Sequence, residues 1–135
     1  MTPDDLIALG KRAVACKGFR WMRGMLRQDD YRYVGSGVWA RWSDVHSLTT
    51  ALHSPDQWPD LTDSATRGCL LTLVREAYRD ASKLWDGHVE VRRDHRIIFV
   101  VVSFRHDASG ALVEDTLTTG DTEAEALVAA LEEAP

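Results

Sequence analysis

Cysteine is scarce in this chain, long apolar runs are missing, and the signatures of the common catalytic sites do not occur. The only two cysteines are Cys16 and Cys69. Each sits in a helix-like apolar pattern, so they read as reduced, buried thiols rather than a disulfide framework. The longest apolar run, Ile97 to Val102, is far too short to cross a bilayer, and no membrane partner is expected. The opening MTPDDLIALGKR is acidic before it is basic and lacks the apolar stretch of a secretion signal. Together with the reduced thiols this predicts a cytoplasmic protein. GxSxG, HExxH, GxxxxGK[ST] and GxGxxG are all absent. No catalytic residue and no cofactor is therefore assigned, and the expectation is a protein that is not an enzyme.

Charge of one sign is short in the second half. Residues 1–50 hold eight Lys and Arg against five Asp and Glu, whereas residues 51–135 hold eight against sixteen, which together make the net charge of -5. The basic excess is concentrated between Lys17 and Trp42, where six basic residues face two acidic ones. A patch of that kind attracts anions over about a Debye length. The same stretch, FRWMRGMLRQDDYRYVGSGVWARW from Phe19 to Trp42, holds Phe19, Trp21, Tyr31, Tyr33, Trp39 and Trp42 among Arg20, Arg23, Arg27, Arg32 and Arg41. Flat rings beside planar guanidinium groups suit nucleotides and nucleic acid, and also the centres of protein interfaces. The candidate binding residues are Arg20, Trp21, Arg23, Arg32, Trp39, Arg41 and Trp42.

With 135 residues the chain can bury a core without staples and reads as a single domain over residues 1–135. Thr2 as cap, Pro3 at the first position and Asp4 and Asp5 in the first turn open a helix from about Pro3 to Lys17, with Gly18 as its stop. FRWMRGMLR has no clean period and reads as a short extended segment, followed by a turn near Gln28 to Asp30. Tyr31 to Val34 and Val38 to Trp42 flank Gly35-Ser36-Gly37 and predict a hairpin. Alternation puts Tyr31 with Tyr33, and Trp39 with Arg41, on single faces, so at least one aromatic should stand beside an arginine at the surface. The others should fill the core, with arginines reaching past them to solvent. Ser43 to Asp60, polar and holding Pro55 and Pro59, reads as a connection with one helical turn around Asp44 to Leu52.

Ala65, Cys69, Leu73 and Ala77, interleaved with Leu70, Val74 and Tyr78, predict an amphipathic helix ending near Asp80. His88 to Arg93 alternates as a half-exposed strand does. Ile97 to Phe104 reads as a central strand covered on both faces, by the first two helices on one side and on the other by the last helix with the aromatic segment, or by a second subunit. Ala111 to Thr118 is another strand, and Asp121 or Thr122 caps a final helix, with Glu125 at capping-box spacing from Thr122. The expected fold is α+β: an antiparallel sheet of about four to five strands packed with three helices, an arrangement that an α-β-α sandwich would satisfy.

The stretches PDLTDSATRGCLLTLVREAYRD, TTGDTEAEALVAALEEAP and LIALGKRAVACKGFRWM resemble short uncharacterised proteins of bacteriophages and prophages, including those of a phage α-β-α sandwich domain. Together they cover a little under half of the chain. The closing strand-GDT-helix is also similar to the end of HicB-type antitoxins, whose fold resembles a partial RNase H. The resemblance implies a phage context and a bacterial host cytoplasm; it supplies no catalytic residue.

Three functional readings follow. One is a non-catalytic phage accessory protein that binds a host protein, as counter-defence proteins do. A second is nucleotide or nucleic-acid binding through residues 19–42, with rings on bases and arginines on phosphates. The third is a metal-dependent hydrolase using His88 and Glu90, with Asp86 near them; these residue types can ligate a metal but equally suit a solvated strand face. His46 and His53 lie in a polar segment without ligand spacing, no metal set is assigned, and a homodimer is open as the cover for the central strand.

Overall fold

A computed structural model describes residues 1–42, 48–52, 56–81, 88–95 and 98–135, without the side chains of residues 42, 52, 80, 81 and 88. It is α+β, with three helices and two antiparallel sheets. Helix α1 spans Pro3–Ala15 and begins as the sequence predicts: the Asp5 N–H donates to Thr2 Oγ1 at 3.1 Å, and the Thr2 N–H donates back to Asp5 Oδ2 at 3.0 Å. This reciprocal cap satisfies two donors that the first turn would otherwise leave orphaned. Of its buried positions, Leu9 and Ala13 join the core shared with the other two helices and the larger sheet, whereas Gly10 lies against Trp58 and Pro59.

The first sheet is a meander of β1 (Arg32–Gly35), β2 (Val38–Trp42) and β3 (Leu48–Leu52) in that order. Ser36 and Gly37, with φ of 56° and 74°, connect β1 to β2. Two successive residues at positive φ are what a two-residue hairpin needs to match the twist of its strands. Serine is strained at the first of them. Ser36→Asn, which restores the favoured Asn-Gly pair, should stabilise the protein by about 0.5 kcal/mol, read as a rise in the urea midpoint; a lowered midpoint would contradict this turn. The preceding strand-like segment bends back on β1: Leu26 bridges Arg32, and the Arg27 N–H donates to the Tyr31 carbonyl at 2.9 Å. Asp30, at φ 68°, closes that three-residue loop.

The second sheet is β4 (His88–Arg93), β5 (Phe99–His106) and β6 (Leu112–Gly120), with β5 central. Helices α2 (Ser64–Ala81) and α3 (Glu123–Glu133) pack on it. The core joins Leu70, Leu73 and Val74 of α2 with Leu127, Val128 and Leu131 of α3, and reaches the sheet through Val89 and Val101. Val91 and Phe99 pack against this core from the same sheet face. Val100 and Val102, on the opposite face, are also buried, as the unbroken apolar run predicts. Gly120 brings β6 onto α3: a Cβ there would lie 2.6 Å from the Ala126 nitrogen. Thr122 caps α3 by accepting from the Glu125 N–H at 3.2 Å, but the Glu125 carboxylate reaches the Asp121 N–H rather than that of Thr122.

Two expectations need correction. The single sheet of four to five strands is two sheets of three strands each. The helices join the core on one face of the larger sheet, which differs from a layer on either side. The expected helical turn around Asp44 to Leu52 is, in its described part, strand β3, paired residue for residue with β2 from Leu48 opposite Trp42 to Leu52 opposite Val38. Strand preference depends on the neighbouring strand more than on local sequence, and five residues of LTTAL carry too little pattern to announce themselves.

Candidate binding surface

The Arg/aromatic segment folds into one stack that runs from the core to the surface. Register puts Tyr33 opposite Trp39, with ring centroids 5.0 Å apart. Trp21 meets Trp39 edge-on at 4.6 Å, and Phe19 meets Trp21 at 5.3 Å. On the other side of Trp39 the Arg27 guanidinium lies 5.0 Å from its ring and 4.6 Å from that of Tyr31. Arg41 then lies 4.6 Å from the Tyr31 ring. Tyr31 thus lies against two guanidinium groups, Arg27 from the segment before β1 and Arg41 from β2, and Arg41 is the exposed end of the ladder. Offset rings and cations over rings each add a fraction of a kcal/mol to about 1.5 kcal/mol beyond simple burial.

Arg27 is the residue that sequence reasoning passed over. Only 5% of it is exposed. Its Nε and Nη2 donate to Asp29 at 2.5 and 2.9 Å, and this pairing holds the Asp29 carboxyl below its ordinary pKa. Nη1 is buried without a hydrogen-bond partner among the described residues. The available signal was the three-residue turn Gln28 to Asp30, which sets Arg27 directly across from Tyr31.

The candidate residues divide. Trp39 is 0% exposed and is core, so its assignment to a binding surface is corrected: the ring is covered by Trp21, Tyr33 and Arg27. Trp21 is half-buried in the same cluster. Arg20 makes a two-pronged pair with Glu76 on α2, at 2.5 and 3.0 Å. Arg32 donates to the Gly24 carbonyl at 2.7 Å and to both carboxylate oxygens of Asp63 at 3.1 and 3.2 Å. Glu76 and Asp63 match two of the four excess positive charges counted over residues 17–42, and each of these carboxyls is held below its ordinary pKa chiefly by its arginine. Arg23 is exposed beside Gly35, with no side-chain partner among the described residues. The Trp42 side chain lies outside the described residues.

The two faces of the small sheet therefore differ. Met25, Tyr33 and Trp39 share the covered face. Val38, Ala40, Leu48 and Thr50 fall on the other by alternation and register, together with Arg32 opposite Ala40, and Val34 stands at the irregularity between Tyr33 and Gly35. Leu48, on that face, is 53% exposed, and Val34, at the bulge beside it, is 43% exposed.

The other candidates are quieter. Cys16 and Cys69 are free and half-buried, and burial pushes both thiols up in pKa, which suppresses the thiolate form. His95 Nδ1 lies 2.5 Å from Asp94 Oδ1, yet the imidazole is almost fully exposed in a turn. Glu90 lies on the face opposite the helices, whereas Asp86, His46, His53 and the His88 side chain fall outside the described residues. Among the described residues no three His, Cys, Asp or Glu side chains converge as a metal site. A concavity of about 430 Å³ opens between the starts of the helices, against Leu6, Leu61, Phe99 and Arg67, but Arg67 is occupied by the Leu61 and Thr62 carbonyls. No helix of the described residues is long and apolar enough to cross a membrane. No family model, curated protein or solved structure gives a significant match to the chain.

Proposed function

We propose that this chain is a non-catalytic accessory protein of phage type that binds a host protein through the outward face of the β1–β3 sheet. The observation that carries the reading is the contrast between that sheet's faces: one is filled by the aromatic stack, the other exposes Leu48, with Val34 exposed at the bulge that borders it. Those two are among only four large apolar side chains exposed in the described residues, the others being Met1 and Leu112. Apolar groups gathered on one face, with a guanidinium at the border, are the composition of an interface centre. Arg23, exposed beside the β1–β2 turn, favours a partner whose apolar patch is bordered by carboxylates. The phage-like segments direct the choice toward a host protein, as in counter-defence.

Base stacking draws less support from the same segment. Tyr31 lies between Arg27 and Arg41, and Trp39 has no exposed area, so neither ring offers a face to a nucleobase. The test is affinity capture from bacterial lysate with the wild-type chain, Val34→Glu, Ala40→Glu and, as a control on the other sheet, Leu112→Glu. A partner captured by wild type and Leu112→Glu but lost with the first two substitutions is the expected result. Capture of nothing specific, or equal capture by all four proteins, would overturn the reading. Quenching of tryptophan fluorescence by nucleotides, weakened by salt, would favour the nucleotide reading instead.

A further inference from the structure

The strand edges of the two sheets are not protected alike. Exposed edges invite pairing with another chain, and proteins blunt them with charged residues, proline or bulges. β4 carries Glu90, Arg92 and Arg93, and Arg92 is paired with Glu114. β6 carries Glu114 and Asp115 and departs from regular register opposite Val101 and Val102. The β1 side of the small sheet is occupied by the segment around Leu26. β3 has none of these devices. It reads Leu48-Thr49-Thr50-Ala51-Leu52, without charge, proline or glycine, and its register against β2 is unbroken. Leu48, Thr49 and Thr50 are exposed, and no strand lies on its outer edge among the described residues.

The order of residues in β3 also suits itself. Antiparallel pairing centred on Thr50 sets Leu48 opposite Leu52 of the second copy, Thr49 opposite Ala51, and Thr50 opposite its own counterpart. Every pair is aliphatic or small and hydroxylic, and none sets like charges against each other. A two-fold axis through Thr50 closes the assembly at two chains. We propose that two copies of this chain pair through their β3 edges, forming a homodimer with a continuous six-stranded sheet, β1-β2-β3-β3-β2-β1. The inference stands apart from the host-protein reading, because it uses the edge rather than the face; if both hold, the dimer doubles the outward face.

Five residues of edge pairing on each side make an interface below the roughly 1,000 Å² of a stable complex, so the dimer is reversible and concentration-dependent. Each copy carries a net charge of -5, yet the paired strands carry none. Added salt should therefore strengthen association by screening long-range repulsion. Sedimentation velocity of the full chain is the test. The weight-average mass of wild type should rise with concentration from 15.1 kDa toward twice that value. Thr50→Lys and Thr50→Glu, each setting like charges opposite at the two-fold axis, should be monomeric when alone, and an equal mixture of the two should recover dimers. Wild type that stays monomeric at every concentration overturns the proposal. So do substituted chains that dimerise as wild type does, or a mixture that fails to recover although each chain has the wild-type circular dichroism. Loss of host-protein capture with Val34→Glu leaves these masses unchanged, so the two readings fail separately.

Discussion

Trp39→Ala is expected to cost about 3–5 kcal/mol of stability, the range for deleting a large aromatic from a close-packed core. That is a large share of the roughly 5–15 kcal/mol available to a domain of this kind. The loss is large because Trp39 is the hub of the stack: Trp21 and Tyr33 meet its ring, and Arg27 lies against it. Removing the indole leaves a cavity and strips the buried guanidinium of one of its two rings. Trp39→Phe should recover about half of the loss. Urea unfolding followed by far-ultraviolet circular dichroism is the measurement, since it reports the helices rather than the ring itself. A cost below about 1 kcal/mol would mean that the small sheet does not unfold together with the helical core.

Asp63→Ala is expected to cost about 1–3 kcal/mol at neutral pH, and the cost should shrink in acid. The Asp63 carboxylate does two jobs at the start of α2. Its Oδ2 accepts from the Thr66 N–H at 2.9 Å and the Thr66 hydroxyl at 2.7 Å, and both oxygens accept from Arg32. The cap is worth about 1 kcal/mol; the ion pair adds less than a buried one would, because Arg32 is partly exposed. Hydrogen bonding from Arg32, followed by that from Thr66, holds the Asp63 carboxyl below its ordinary pKa. A carboxyl with a depressed folded-state pKa stabilises the fold above its unfolded value of about 3.9 and loses that contribution as pH falls through the folded value. The gap between wild type and Asp63→Ala should therefore begin to close below about pH 4 and go on closing as pH falls through the depressed folded-state value. Asp63→Asn, which can still cap the helix, should lose only the charged part. A gap between wild type and Asp63→Ala that is constant from pH 7 to pH 3 would show that the ion pair with Arg32 contributes nothing.

The same two residues show how far the chain is legible before it is folded. The Thr2 cap, the Ser36-Gly37 turn, the 3.6-residue period of α2 and the alternation of β4 are encoded within a few residues, and each was found where local chemistry puts it. The hairpin faces were legible for the same reason: alternation set Tyr31 with Tyr33 and Trp39 with Arg41. Strand β3 was not, because its identity comes from β2 beside it. Nor was the division into two sheets, because an edge is defined by what fails to pair with it.

The candidate site follows the same divide. The sequence by itself determined that arginines and aromatics are concentrated between residues 19 and 42, that Tyr31 shares a face with Tyr33 and Trp39 with Arg41, and that the central strand β5 is apolar on both sides. Only the tertiary structure decided which of those side chains remain free. Arg32 meets Asp63 from 31 positions away and Arg20 meets Glu76 from 56, while Trp39 loses all its exposed area to Trp21, Tyr33 and Arg27. Periodicity and capping act over a turn or a strand pair and so are written locally. Burial and ion pairing depend on which distant segments arrive at the same place, and that is settled only when the whole core closes.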